Sequence, residues 1–360
     1  MTGLSPGQGD DIATLKYDTA GHELWVVRYD GSGGSYDWPL AVTTDINGNT
    51  FVTGLSSGKN PAYDFATVKY DPSGIVQWAA RSNRSTSHNA FPVSIATDQS
   101  GNVYIIGASD EAENSRYFVL IKYDKAGVEQ WVNRYTAEGL GYPGGAQVDA
   151  LGNIHVTVRL WQPSNALVTL KYSTTGNQLW LAQEKGNFDP SIMKVDADGN
   201  VYISGYGTLD SGEVECLIIK YDRQGARQWV KSLSTYSPTG LAVDKLGNVI
   251  LTVSSYEMRS YNFKIAKFSP TGEKKWLTEH SISMDTTSIR VGFVTTDEDG
   301  NVFVGARAYK QGEENTLILV KYDQEGKQAW ETTHREHGIG EPTLISMKGE
   351  EILVTCPTNR

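Results

Sequence analysis

Cysteine is nearly missing from this chain, with two residues in 360. Cys216 and Cys356 give no disulfide framework and no metal-ligand spacing. Positive charge is in deficit, 32 Lys+Arg against 42 Asp+Glu, for a formal charge of −10. That removes the electrostatic footprint for nucleic acid or anionic membrane, so neither is expected as a partner. No window approaches the roughly 20 apolar residues that span a bilayer, which argues against membrane insertion. The first residues, MTGLSPGQGD, have neither a basic n-region nor an apolar h-region, so no signal peptide is expected in this sequence. No segment sustains a helical period with caps. Gly-x-Ser-x-Gly, His-Glu-x-x-His, P-loop and Rossmann patterns are all absent. The Gly31–Gly34 stretch precedes no helical segment and is a poor phosphate cradle. What remains is ample core material, 39% apolar and 10% aromatic residues, enough to exclude wholesale disorder.

A repeat dominates the rest. Lys-Tyr-Asp-x-x-Gly-x-x-x-Trp runs over Lys16–Trp25, Lys69–Trp78 and Lys122–Trp131, then Lys171–Trp180 with Ser173 in the Asp place, and Lys220–Trp229. It returns at Lys267–Trp276, with Phe268 and Ser269, and at Lys321–Trp330. Seven of the nine Trp occupy this one slot. Between the copies stands Asp-x-x-Gly-Asn, at Asp45, Asp98, Asp149, Asp196, Asp244 and Asp297, with a degenerate seventh at Met347–Glu351.

Each period of about 50 residues therefore reads as four short strands, A to D. Strand A precedes Asp-x-x-Gly-Asn, B follows it, C runs into Lys-Tyr-Asp, and D carries the Trp. Asp opens each A–B and C–D hairpin turn through its side chain, and Gly supplies the positive φ. Four-stranded units of this length predict an all-β fold, a single seven-bladed β-propeller of four-stranded antiparallel blades. The expected blades are about 38–82, 91–135, 144–184, 190–232, 238–280 and 288–334. A seam blade is expected to combine 12–29 with 342–356 from the other terminus. Thr2-Gly3-Leu4-Ser5 copies Thr53-Gly54-Leu55-Ser56, but that place is assigned to Thr355-Cys356, so residues 1–11 are expected to be loose.

These blocks resemble the SBBP repeat, a bacterial seven-bladed propeller family, over residues 12–356. The Gly-x-x-x-Trp end also resembles Trp-docking motifs, and Asp-x-x-Gly-Asn-Val-Tyr is similar to NHL-type and gluconolactonase-like propellers. The SBBP resemblance implies an extracellular or cell-surface protein and supplies no catalytic residues.

Most repeated residues read as structural. One Trp per blade locks blade to blade, and the Lys lays its stem on that surface and pairs with an acid or a ring face. Asp196–Asn200 and Asp297–Asn301 begin like calcium loops but lack the later bidentate Glu, so they read as hairpin turns. His334-x-x-His337 reads as solvated, and His155, in the slot of Tyr104 and Tyr202, as a packing substitution. Blade counting separates Cys216 from Cys356 and predicts two free thiols. No metal and no cofactor are expected, and the chain is expected to be a monomer.

The candidate site lies in the D–A connections, which on a propeller gather with the B–C loops around the central channel. Five of seven put an aromatic one or two residues before a Pro. The candidate ligand-binding residues are Asp37, Trp38, Phe91, Tyr142, Trp161, Phe188, Asp189, Tyr236, Asp285 and Glu341. Flat rings among acids suit a glycan or a protein ligand on a non-catalytic binding or scaffold module. The alternative is a glycoside hydrolase, lyase or gluconolactonase-like hydrolase using the acids at the channel mouth. Acids of the B–C loops (Asp110, Glu111, Glu113, Asp210, Glu213, Glu313, Glu314) are expected to make this face the more negative one.

Overall fold

A computed structural model describes residues 2–6, 10–17, 23–31, 36–57, 63–82, 90–112, 115–135, 141–161, 165–208, 213–233, 237–254, 262–281, 288–309, 316–335, 344–348 and 351–355. All regular structure among them is strand. The chain divides into two compact units, Met1–Asn187 and Phe188–Arg360.

The first unit opens with a three-stranded sheet of β1 (Thr2–Pro6), β2 (Asp10–Tyr17) and β3 (Glu23–Tyr29). Three four-stranded antiparallel sheets follow. They are β4 (Asp37–Thr44), β5 (Thr50–Ser57), β6 (Tyr63–Tyr70) and β7 (Val76–Ser82); β8 (Ala90–Thr97), β9 (Val103–Ala112), β10 (Ser115–Tyr123) and β11 (Glu129–Tyr135); and β12 (Gly141–Val148), β13 (Ile154–Leu160), β14 (Ala166–Tyr172) and β15 (Gln178–Lys185). The second unit repeats the pattern in β16 (Asn187–Val195), β17 (Val201–Thr208), β18 (Glu215–Tyr221) and β19 (Arg227–Ser232). It continues with β20 (Ser237–Val243), β21 (Val249–Ser254), β22 (Asn262–Phe268) and β23 (Lys274–Ser281), then β24 (Ser288–Thr296), β25 (Val302–Tyr309), β26 (Thr316–Tyr322) and β27 (Gln328–Arg335). A final hairpin pairs β28 (Leu344–Lys348) with β29 (Glu351–Thr355).

One expectation is corrected at the N-terminus. Residues 2–6 are not loose: β1 pairs with β2, Thr2 opposite Thr14, just as Thr53 lies opposite Thr67 in the next blade. The strand-B place beside β2 that was assigned to Thr355-Cys356 is held by Thr2–Pro6. The cause is visible in the sequence, since Thr2–Ser5 is itself a strand-B sequence. Cys356 lies outside the described residues; Cys216 is a free, buried thiol whose pKa burial pushes up to about 12.

The turns form as their chemistry dictates. In Asp45–Asn49 the Asp45 Oδ1 accepts the N–H groups of Asn47 and Asn49, both at 2.9 Å, and Asn49 Nδ2 donates to Oδ2 at 2.7 Å. Gly48, at φ 79°, closes the turn. The middle strands are buried almost throughout; β14 is buried at all seven positions.

In four of the motifs the Lys and Trp together couple successive sheets within a unit. Lys16 Nζ and Trp25 Nε1 both donate to Pro72 O, each at 3.0 Å. Lys69 and Trp78 share Lys125 O, Lys122 and Trp131 share Thr174 O, and Lys220 and Trp229 share Pro270 O. In these four motifs the acceptor sits in the Lys-Tyr-Asp-x-x-Gly turn of the next sheet, and the turn Gly lies against the indole; in the sixth motif the two donors part, Trp276 to Gln324 O and Lys267 to Gly300 O. A Cβ on Gly176 would meet Trp131 Cδ2 at 2.9 Å. The Lys ammonium also lies over a strand-B ring, Lys122 Nζ at 5.3 Å from the Tyr104 centroid. The motif is thus a docking device in which one carbonyl serves two donors.

Where a Tyr follows the Asp-x-x-Gly-Asn turn it reaches back to the Asp: Tyr104 OH donates to Asp98 Oδ2 at 2.9 Å and Tyr202 OH to Asp196 Oδ2 at 3.0 Å. His155 takes that place on Asp149, Nε2 to Oδ2 at 3.2 Å, fully buried. Burial lowers the His155 pKa, with Asp149 opposing, so the ring folds neutral. Below about pH 6.5 the unfolded chain binds a proton that the folded one refuses, and stability falls as pH falls. The His155→Tyr variant is expected to remove this contribution, flattening the slope between pH 7 and 5 by up to about 1.4 kcal/mol per pH unit. Chemical denaturation at several pH values reads this directly, and an unchanged slope would refute it.

Candidate functional site

The aromatic–proline segments lie within the first residues of the A strands rather than in the connections before them. The ladder starts early, with Trp38 opposite Leu55, Phe91 opposite Ala108 and Tyr142 opposite Arg159. A bulge then follows each Pro, between Pro39 and Ala41, Pro92 and Ser94, and Pro143 and Gly145. Pro is tolerated because it sits on an edge strand beside a bulge. Strand-B glycines make room: a Cβ on Gly54 or Gly107 would collide with Trp38 O or Phe91 O.

Parity decides which rings face outward, because successive strand residues point to opposite faces. The residue immediately before Pro faces out. Trp38 is 54% and Tyr142 51% exposed, Phe91 is half-buried, and Asp189 is exposed. The residue two before Pro faces in. Asp37 and Phe188 are each 1% exposed, and Phe188 packs over Gly205. Phe188 therefore departs from the ligand-binding reading: it is core. Tyr236, Asp285 and Glu341 lie outside the described residues, as do the side chains of Asp110 and Glu111, and Glu113, Asp210, Glu313 and Glu314; Glu213 is exposed.

Within the first unit β4 contacts β8 and β8 contacts β12. Trp38, Phe91 and Tyr142 hold equivalent registers on these three neighbouring strands. Trp161 joins them, its ring centroid 4.9 Å from that of Tyr142 at 38°. Arg159, beside this pair, donates to Asn187 Oδ1 at 2.9 Å. Tyr36, 59% exposed, and Leu40, 44% exposed, extend the apolar surface along β4. Sequence patterns gave no notice of Leu40, because its exposure depends on which face of β4 is left uncovered.

At the same end of the unit, carboxylate oxygens of Asp11, Asp30 and Asp37 lie within 4.8 Å of one another. Asp37 Oδ2 accepts the Gly31 N–H at 2.6 Å. Burial raises the Asp37 pKa, against the hydrogen bonds that Ser56 and the Gly31 N–H donate to it; the Asp30 charge adds to the rise and Arg81 opposes it. Arg81 is itself bonded to Asp64 at 3.2 Å and to Ser56 O at 3.0 Å. In the second unit His334 is exposed; His337 lies outside the described residues. A cavity of about 320 Å³ there, lined by Asp244, Lys267, Lys275, Trp276 and Asp299 among others, opens at the hairpin turns, where no ligand residue was expected.

No known family profile matches the chain. It is similar to an uncharacterized WD repeat-containing protein, L264, of Acanthamoeba polyphaga mimivirus, at 21% identity over 97% of this chain. The chain spans 31% of the length of that relative. Among solved structures it is similar to the Dos1 propeller, with TM-score 0.50, 9% identity, and 92% and 91% of the two chains covered. A PL25 ulvan lyase bound to -[GlcA(1-4)Rha3S]- gives 0.53 at 14% identity, covering 84% of this chain and 85% of the lyase. A lignostilbene dioxygenase of Pseudomonas brassicacearum gives 0.51 at 11% identity, covering 93% and 88%. With seven Lys…Trp strand pairs in antiparallel blades, the chain is an all-β protein of the seven-bladed β-propeller repeat class.

Proposed function

We propose that this protein is a non-catalytic binding module that takes a glycan, or a protein segment of similar flatness, on the outward row of A-strand rings. The observation that carries the reading is the exposed register of Trp38 and Tyr142, with the Trp161 ring packed at a tilt against Tyr142. Exposed rings at matched positions of neighbouring strands offer flat apolar area, and Trp and Tyr add a polar edge for hydroxyl groups. Membership of the SBBP repeat class, supported by the Lys-Tyr-Asp-x-x-Gly-x-x-x-Trp block, and an extracellular or cell-surface setting for a monomer belong to the same proposal. The WD-repeat relative is compatible with a protein ligand. The hydrolase or lyase alternative needs accessible acids, and of the two candidate acids that are described Asp37 is buried while Asp189 is exposed.

Binding of wild type on a glycan array, set against Trp38→Ala and Tyr142→Ala, tests the reading. Each variant is expected to weaken binding about tenfold or more while the unfolding midpoint stays within about 0.5–1 kcal/mol of wild type. Binding that survives both substitutions would overturn the site, and turnover of a bound glycan would favour the enzyme.

A further inference from the structure

The docking motif is broken in the blade of β20–β23, and a cavity opens beside it. Lys69, Lys122, Lys220 and Lys321 each lie over a B-strand ring, those of Phe51, Tyr104, Tyr202 and Phe303, at 5.0–5.3 Å. The residue opposite Lys267 in the same register is Ile250, which has no π face to hold an ammonium. Lys267 turns instead to Asp244 Oδ2 and Gly300 O, both at 3.1 Å. Trp276 keeps its slot, with Nε1 donating to Gln324 O at 2.8 Å. Among the described residues that carbonyl has a single donor, where the carbonyls of Pro72, Lys125, Thr174 and Pro270 each take an indole and an ammonium.

Gln324, Trp276 and Lys267 all line the cavity of about 320 Å³ at these turns. Two more of its lining residues, Asp299 and Glu325, are exposed acids that pair with no cation among the described residues. The Lys267 charge is matched by Asp244 in a pair whose side chains are 4% and 1% exposed. Lys275, exposed on the rim, is the opposing charge. The balance of the lining is therefore negative, and its apolar parts are the Trp276 ring and the exposed Leu246.

We propose that this cavity binds a primary alkylammonium group, which takes the place beside Gln324 O that the motif lysine holds in other blades. The carbonyl accepts one of its N–H groups, Asp299 and Glu325 supply countercharge, and Trp276 and Leu246 cover its methylene stem. A free alkyl diamine and a lysine side chain of a partner protein both present that group. The site uses residues of the second unit only, so it stands independently of the glycan reading.

Ligand-observed NMR titration with cadaverine and with Nα-acetyl-lysine methylamide tests the assignment, with pentanol and pentanoate as neutral and anionic controls. The wild type is expected to bind an amine with Kd about 1–5 mM and to bind neither control. Binding of cadaverine alone would assign the site to free amines, and binding of the lysine derivative alone to a partner's side chain. Asp299→Asn and Glu325→Gln, both exposed changes that leave folding intact, are each expected to weaken binding about threefold to tenfold. Lys275→Gln is expected to strengthen it about twofold, which a site for anions would reverse. Ile250→Phe, which restores the ring that Phe51 and Phe303 supply elsewhere, is expected to return Lys267 to Gln324 O and abolish binding. Silence of both amines at about 20 mM, preference for pentanoate, or affinity unchanged in both Asp299→Asn and Glu325→Gln would overturn the proposal.

Discussion

Trp131→Ala is expected to destabilise the protein by about 3–5 kcal/mol, the range for emptying a packed aromatic site. Trp131 packs against a core of Tyr104, Ile106, Leu120, Val156, Leu170 and their neighbours. Its Nε1 donates to Thr174 O at 3.1 Å, and Gly176 lies against the ring. Truncation therefore leaves a void and removes one of the two donors to that carbonyl. The ring is partly exposed, which places the cost toward the lower end of the range. Trp330 supplies the control: it fills the same motif slot but is 37% exposed, so Trp330→Ala is expected to cost about 1–2 kcal/mol. Urea unfolding should show a lower midpoint for Trp131→Ala at an unchanged slope. A cost as small as that of Trp38→Ala would mean that the docking slot contributes little.

The blades were legible because their determinants are local and repeated. The Asp-x-x-Gly-Asn and Lys-Tyr-Asp-x-x-Gly turns carry their own hydrogen-bond acceptors and their own positive-φ glycine. The Trp and Lys were readable as interlocking parts because a catalytic residue does not recur seven times, and the shared carbonyl of the next turn supplies the mechanism. The site was legible only in part. Aromatic–Pro pairing located the right segments, but the one-residue difference between Trp38 and Phe188, measured from Pro39 and Pro190, sends one ring outward and the other into the core. Strand parity was available in the sequence; the start of the ladder before Pro was not, since it depends on the bulge and on Gly54 or Gly107 opposite it. The Asp11–Asp30–Asp37 cluster was invisible for a different reason. It is made by three strand ends meeting, and no linear spacing encodes that.

Asp149→Ala is expected to cost about 3–5 kcal/mol at pH 7, as for other buried pairs broken by removal of one partner. Asp149 Oδ1 accepts the N–H groups of Leu151 and Asn153 at 3.0 and 2.9 Å, which set the β12–β13 turn. Its Oδ2 meets His155 at 3.2 Å and Lys171 Nζ at 2.9 Å. The Lys171 side chain is only 7% exposed, so without Asp149 its charge is buried without its acid. The pH dependence separates the charge from the turn. Burial pushes the Asp149 pKa up, but His155, Asn153 and Lys171 outweigh it and hold the carboxyl well below the usual carboxylate range. A lowered folded pKa gives stability that is fully present above the unfolded value of about 3.9 and lost as pH falls toward the folded one. The gap between wild type and Asp149→Ala is therefore expected to hold from pH 7 to about 5 and to narrow below about 4. The double variant Asp149→Ala/Lys171→Met, which removes the stranded charge and keeps an apolar stem, is expected to recover about 1–3 kcal/mol relative to Asp149→Ala. Denaturant unfolding of the three chains across pH 3–7 measures both quantities. A gap that does not narrow in acid, together with no recovery in the double variant, would assign the whole effect to turn geometry and remove the buried ion pair from the account.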